Sequence, residues 1–214
     1  MRILIIILIS FLVLYTGCKE NSSEPKIHDI DTNVVVRKPN LYIYPQSEID
    51  LKIEIEFPLG GEIVASDPSY GDGWNVNIKP DGKINGEYEY LFYEFTVPDY
   101  HQKDFGWVVK SENLEKFFRE NMNEAGFSES EIDDFIDYWI PELIDHPFYA
   151  IYPQFRNTLD LMTEIKFSVE IDHFYRLHYF IKGLHNRNSE IEQPEMINSR
   201  RKGFYAVEWG VIIE

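Results

Sequence analysis

The chain has 214 residues, enough for one domain of ordinary size with a full hydrophobic core once a leader and a tether are set aside. Its formal charge is −17, and removing a leader whose one charged residue is Arg2 makes it −18, so nucleic acid and anionic headgroups both repel it. A single cysteine excludes an internal disulfide, and an aromatic share of 15% suits a body rich in strands.

Arg2 precedes an apolar run from Ile3 to Leu14, interrupted only by Ser10, the charge order and length of an export signal and too short to span a bilayer, which takes about 20 residues. The run ends in Thr16-Gly17-Cys18, small residues abutting the cysteine, and this resembles the lipobox of bacterial lipoproteins, with Tyr15 where that motif usually has leucine. The resemblance implies cleavage after Gly17, a diacylglyceryl group on the Cys18 thiol, and acylation of the new amino terminus, as by palmitate. Three acyl chains at about 0.8 kcal/mol per buried methylene hold a protein on a membrane without a transmembrane helix. Residues 1–17 are therefore expected to be a signal peptide and 18–33, a polar stretch without apolar periodicity, a flexible tether. A single globular domain is expected over 34–214.

Within that domain, Lys38-Pro39-Asn40-Leu41-Tyr42-Ile43-Tyr44-Pro45 sets a short apolar run between two prolines, the pattern of a strand buried on both faces. Leu51, Ile53, Ile55 and Phe57 alternate with Lys52, Glu54 and Glu56, predicting a strand with one wet face. Pro58-Leu59-Gly60-Gly61 then predicts a turn that brings Glu62 to Ser66 back as the hairpin partner. Trp74, Val76 and Ile78 alternate in a further strand before the Pro80-Asp81-Gly82 turn, and Tyr88 to Val97 reads as a central strand.

Helical spacing of Leu114, Phe117, Phe118 and Met122 predicts a helix from a cap at Ser111 to Gly126. Ser128-Glu129-Ser130-Glu131 has the pattern of a capping box, and Ile132, Phe135, Ile136, Trp139 and Leu143 continue a second helix that Pro141 ends or kinks. Glu131, Asp133, Asp134 and Asp137 are expected on its solvated face. Phe148 to Pro153, Ile165 to Ile171, Tyr175 to Ile181 and Lys202 to Ile212 read as strands, with a turn at Asp172-His173 and a polar loop from His185 to Arg201. Strands, a helical pair and more strands predict an α+β fold, mainly antiparallel sheet with the helical pair inserted.

Four fragments, residues 38–45, Asp72-Gly73-Trp74, Tyr138-Trp139-Ile140-Pro141 and Gly203-Phe204-Tyr205-Ala206-Val207-Glu208-Trp209-Gly210, together resemble a widespread family of secreted and lipid-anchored bacterial proteins with KPxxYLYP, DGW, YWLP and GFxxVEWG-like motifs. The resemblance implies one compact domain and brings no activity with it.

For chemistry, Glu94 and Glu208 stand out as carboxylates inside apolar strands, where burial raises a carboxyl pKa and two such groups can divide acid and base roles in glycan hydrolysis. The competing reading, that each is held by a cation or by backbone donors in the core, is preferred, and no catalytic residue is assigned. His146, His173, His178 and His185 lack a zinc spacing, Asp67, Asp72 and Asp81 match no calcium loop, and the chain has neither a GxSxG elbow nor a phosphate loop. No cofactor or metal is expected. The expected role is that of an envelope protein held to a bacterial membrane by its N-terminal lipid, outside the cytoplasm. It would act by binding a glycan or a protein or as a structural or interaction module of the envelope, the alternative being an envelope glycan hydrolase using Glu94 and Glu208.

Overall fold

The computed structural model describes residues 33–187 and 191–214, so Gly17, Cys18, the leader and the tether up to residue 32 lie outside the described residues. The strands are β1 (Asn33–Tyr44), β2 (Ile49–Glu56), β3 (Glu62–Asp67), β4 (Trp74–Ile78), β5 (Leu91–Pro98), β6 (Trp107–Lys110), β7 (Phe148–Phe155), β8 (Glu164–Phe167), β9 (His173–Leu184) and β10 (Tyr205–Ile213). The helices are α1 (Leu114–Ala125), α2 (Glu129–Glu142) and α3 (Arg156–Met162). Seven strands form one sheet in the order β3-β5-β1-β10-β9-β7-β6, and three form a second, β4-β2-β8. Every pairing is antiparallel except β10 with β9. The fold is the α+β arrangement, dominated by antiparallel sheet, that the sequence pattern predicts.

The large sheet has a core on each face. Its helix side packs Tyr42, Leu177, Tyr179, Val207, Trp209 and Val211 against Phe118, Phe135 and Trp139 of α1 and α2. Its other side packs Leu41, Ile43, Tyr93, Phe95 and Ala206 against the small sheet and α3. This explains why β1 and β10 read as continuous apolar runs, since both of their faces are covered, whereas β2 buries every second residue.

Several expectations are corrected. Residues 57–61 do not close a hairpin: β3 leaves β2 and pairs with β5 in the other sheet, because alternation fixes which face a strand buries and not which strand it joins. Gly61 at φ 142 makes the crossing, and a Cβ there would lie 2.2 Å from the Thr96 carbonyl oxygen. Residues 88–90 precede β5, which starts at Leu91, and β8 ends at Phe167 without forming a hairpin with β9. The last strand starts at Tyr205, and α3 forms in a stretch where the sequence pattern predicts no helix. Ser111 opens a 3-10 turn, and α1 begins at Leu114. Gly126, at φ 91, ends α1, and Ser128 with Glu131 forms the capping box of α2.

Candidate functional site

Two polar assemblies stand out, one closed and one open. The closed one lies on the small-sheet side of β10 and β9, where a register of Glu208 with Arg176 and Gly210 with His178 sets four polar or small positions side by side. Glu208 is fully buried. Its Oε2 accepts from Arg176 Nε at 2.5 Å, and its Oε1 accepts from the Tyr93 hydroxyl of β5. Arg176 also donates to Asp160 at 2.9 Å and to the Thr163 carbonyl at 2.5 Å. The His178 ring fits because Gly210 has no side chain: a Cβ there would approach His178 Nε2 to 3.0 Å. His178 Nε2 lies 3.2 Å from Glu208, off hydrogen-bond alignment.

Burial works to raise the Glu208 carboxyl, but Arg176 and His178 outweigh it and hold the group at about 2. Burial pushes His178 below its ordinary value, against the pull of Glu208, so the ring is neutral. With its carboxylate, guanidinium and imidazole all inaccessible, the centre can hold the sheet together but offers no atom to a substrate.

Glu94 stands elsewhere. Tyr93 points at Glu208, so the next residue on the strand points to the opposite face of the sheet, where Glu94 accepts from the Lys38 amide at 3.3 Å. The two glutamates are thus not brought together, and the spacing that a carboxylate pair needs for glycoside hydrolysis is not built from them. Among the described residues no group of three His, Cys, Asp or Glu side chains is set to hold a metal.

Burial also pushes His101, on the segment crossing from β5 to β6, down to about 4, although Asp99 at 2.9 Å favours its charged form. The unfolded chain binds this proton below 6.5 and the folded one only near 4, so stability falls as pH drops through that window, by about 3 kcal/mol at ~1.4 kcal/mol per tenfold. Below 4.5 the unfolded chain also protonates Glu208 while the folded one keeps it charged down to about 2, which adds to the fall. Urea midpoints measured from pH 7 to pH 4 should fall steadily, and a flat profile would show that His101 is not buried neutral.

The open assembly is built by β1 and α2, which run antiparallel and are zipped along their length. Tyr44 donates to Glu131 at 2.6 Å, Tyr42 to Asp134 at 2.9 Å, the Lys38 ammonium lies 5.3 Å from the Tyr138 ring, and Arg37 pairs with Glu142 at 3.4 Å. Three of the four motif fragments meet here. Trp209 donates to the Glu131 carbonyl at 3.1 Å, and Tyr205 stacks on Tyr44 at 4.9 Å. Glu131, expected on a solvated face, is instead fully buried: it accepts two Arg201 hydrogen bonds of 2.9 Å each and one of 2.8 Å from the Ser128 amide. Asp134 is half-buried, and burial raises its carboxyl above the ordinary range. The fourth fragment lies on the other face of the sheet, where Trp74 donates to the Pro68 carbonyl at 2.8 Å.

At the Tyr44 end the seam opens into a cleft of about 400 Å³, lined by Tyr42, Tyr44, Asp81, Glu89, Ser128, Ser130, Asp134 and Arg201. Four segments supply these groups: the end of β1, the start of α2, the 79–90 connection and the loop before β10. The tyrosines offer hydroxyls rather than ring faces. Tyr42 is 3% exposed, and Tyr44 is enclosed by Tyr205, by Arg201 at 5.2 Å and by Gly82, where a Cβ would come within 2.7 Å of the ring. Lys83 neutralises Glu89 at 2.5 Å and Glu131 neutralises Arg201, leaving Asp81 and Asp134 with no cation within 4 Å among the described residues. Sequence reasoning missed this cleft because each member had a local explanation; the one signal was Tyr42 and Tyr44 sharing a face with a Ser130/Asp134 spacing of four on α2. Comparisons of the chain with family models, with curated proteins and with solved structures find no match.

Proposed function

We propose that this chain is an envelope protein, held to a bacterial membrane by lipid on Cys18, and that it acts by binding a hydroxyl-rich glycan in the cleft at the open end of the β1–α2 seam. The observation that carries the reading is the convergence of four segments on one cleft whose eight lining side chains each carry a hydroxyl, a carboxylate or a guanidinium, set among apolar surface of the same residues. Neutral hydroxyls of a sugar satisfy such groups by donating to carboxylates and accepting from Arg201, and a charged partner makes each such bond worth about 1.5–3 kcal/mol. Because the tyrosine faces are already packed, recognition would run through hydrogen bonds and not through stacking.

A soluble peptidoglycan fragment, titrated calorimetrically against the full chain in detergent, is the direct test. Asp134→Asn keeps the shape of the lining and removes its charge, so binding should weaken by about tenfold or more at 1.4 kcal/mol per decade. Unchanged heat with the variant would place the ligand elsewhere, and no heat with the parent chain would remove the glycan reading.

A further inference from the structure

The two ends of the domain differ in what they leave exposed. Nine large apolar side chains are exposed among the described residues, and six of them gather at the end where the chain enters β1: Val35, Leu59, Val64, Tyr100, Ile144 and Ile213. Their places follow from the register. Asn33, the first residue of β1, pairs with Pro98, whose carbonyl accepts from the Tyr100 amide, and Val35 pairs with Thr96. Thr96 also faces Glu62 at the start of β3 and closes on Gly61, two residues past Leu59, while Val64 follows two residues into β3. Val211 pairs with Arg37, which brings Ile213 to the level of the β1 start. Arg37 holds Glu142 at the end of α2, two residues before Ile144, which is 74% exposed.

The remaining 32 residues of the chain, with their apolar run and Cys18, continue from this end at Asn33. The charges interspersed here are mostly tied in pairs, Arg37 with Glu142, Lys103 with Asp99 at 2.9 Å and Lys182 with Glu214 at 2.6 Å, so bringing the end against a headgroup layer strands few of them. Glu62 and Asp145 have no cation within 4 Å among the described residues and would stay at the wet rim. The binding cleft is at the far end of β1, beside Tyr44. A strand of 12 residues at about 3.3 Å each puts roughly 35 Å between the two ends.

We infer that the domain stands on a lipid surface, with the Val35–Leu59–Val64–Tyr100–Ile144–Ile213 end seated in the interface and the cleft held away from the membrane. This rests on the anchoring reading, because a long polar tether on a domain of charge near −18 would otherwise let the body drift into solution. Apolar side chains at the chain-entry end add a weak second contact, which orients a body that the lipid already holds.

Nitroxide labels on Val64→Cys and Ile144→Cys test it, with Ile197→Cys, beside the end of α1 at the cleft end, as the reference position and the parent chain as the blank for Cys18. The full chain is reconstituted in phosphatidylethanolamine–phosphatidylglycerol vesicles, and each label's collision with oxygen is compared with its collision with a water-soluble nickel chelate. The expected result is an oxygen-to-nickel ratio several-fold higher at 64 and 144 than at 197. Equal ratios at all three positions in chains that float with the vesicles would overturn the pose and leave the anchor standing. Chains that do not float at all would overturn the anchor and the pose together.

Discussion

Replacing Arg176 with methionine should lower the stability of the folded domain by about 3–5 kcal/mol, because the Glu208 carboxylate it leaves behind is fully buried and loses its main cation. In a domain of this size that is a fall in melting temperature of roughly 6–20 °C, at about 2–4 °C per kcal/mol. His178, held low by burial and by Arg176 itself, replaces the lost charge only in part, and Tyr93 gives one hydrogen bond without neutralising anything. Adding Glu208→Gln to the same chain should recover most of the loss, since an amide still accepts from Tyr93 and no longer needs a counter-charge. Calorimetric melting of the two variants separates the possibilities: if the single variant melts with the parent, Glu208 is not charged in the fold; if the double variant is no better than the single, packing and not charge is what Arg176 contributes.

The second large effect is expected at Glu131. Glu131→Ala removes the reciprocal cap of α2, the two Arg201 hydrogen bonds and the acceptor of Tyr44 at once. Loss of a cap alone costs about 0.5–2 kcal/mol. Stranding Arg201 adds to this, though less than for Arg176, because Arg201 is 26% exposed and can be rehydrated. A total of about 3 kcal/mol follows, with the loss concentrated where β1 meets the start of α2. Amide hydrogen exchange should therefore speed up first at residues 128–132 and in the loop carrying Arg201. Glu131→Gln retains an acceptor for the Ser128 amide and should lose about half as much. Uniform acceleration across both sheets would show that Glu131 contributes to the core and not to this seam.

The parts of this fold that were legible in the sequence are those set by short-range rules. Alternation in residues 51–57 fixes the buried face of β2, the Ser128–Glu131 spacing fixes the start of α2, and Gly126 fixes the end of α1. What was not legible is set by partners far along the chain. Nothing local in residues 57–61 tells a hairpin from a crossing between sheets, and the difference lies in β5, more than thirty residues on. Asp134 and Glu131 sit beside Asp133 and Asp137 with the same local signature, yet the tyrosines of β1 reach over the first pair and leave the second in water. Glu208 was legible as a buried carboxylate held by a cation, but which cation was not, because Arg176 and Tyr93 approach it from two other strands. The cleft was illegible for the same reason: four segments supply it, and each carries a residue that a turn, a cap or a surface explains on its own.

The motif fragments gain a physical content from this arrangement. Lys38 holds a left-handed backbone at φ 56 directly before Pro39 and places its ammonium 4.5 Å from the Phe92 ring, so the opening fragment bends β1 at the point where its register with β5 and β10 shifts. Trp139 and Trp209, from the fragments at 138–141 and 203–210, pack with Tyr42 in the core on the helix side of the sheet, so three of the fragments share the region where β1 and α2 meet.

The proposal that this cleft is the binding site is tested most directly by mapping amide shifts of the isotope-labelled full chain in detergent as a soluble peptidoglycan fragment is added. The account predicts movements confined to Tyr42, Tyr44, Asp81, residues 128–134 and Arg201. Movements centred instead on the groove between β6 and α1, around Lys110, Phe117 and Arg187, or no movements at saturating fragment, would contradict it.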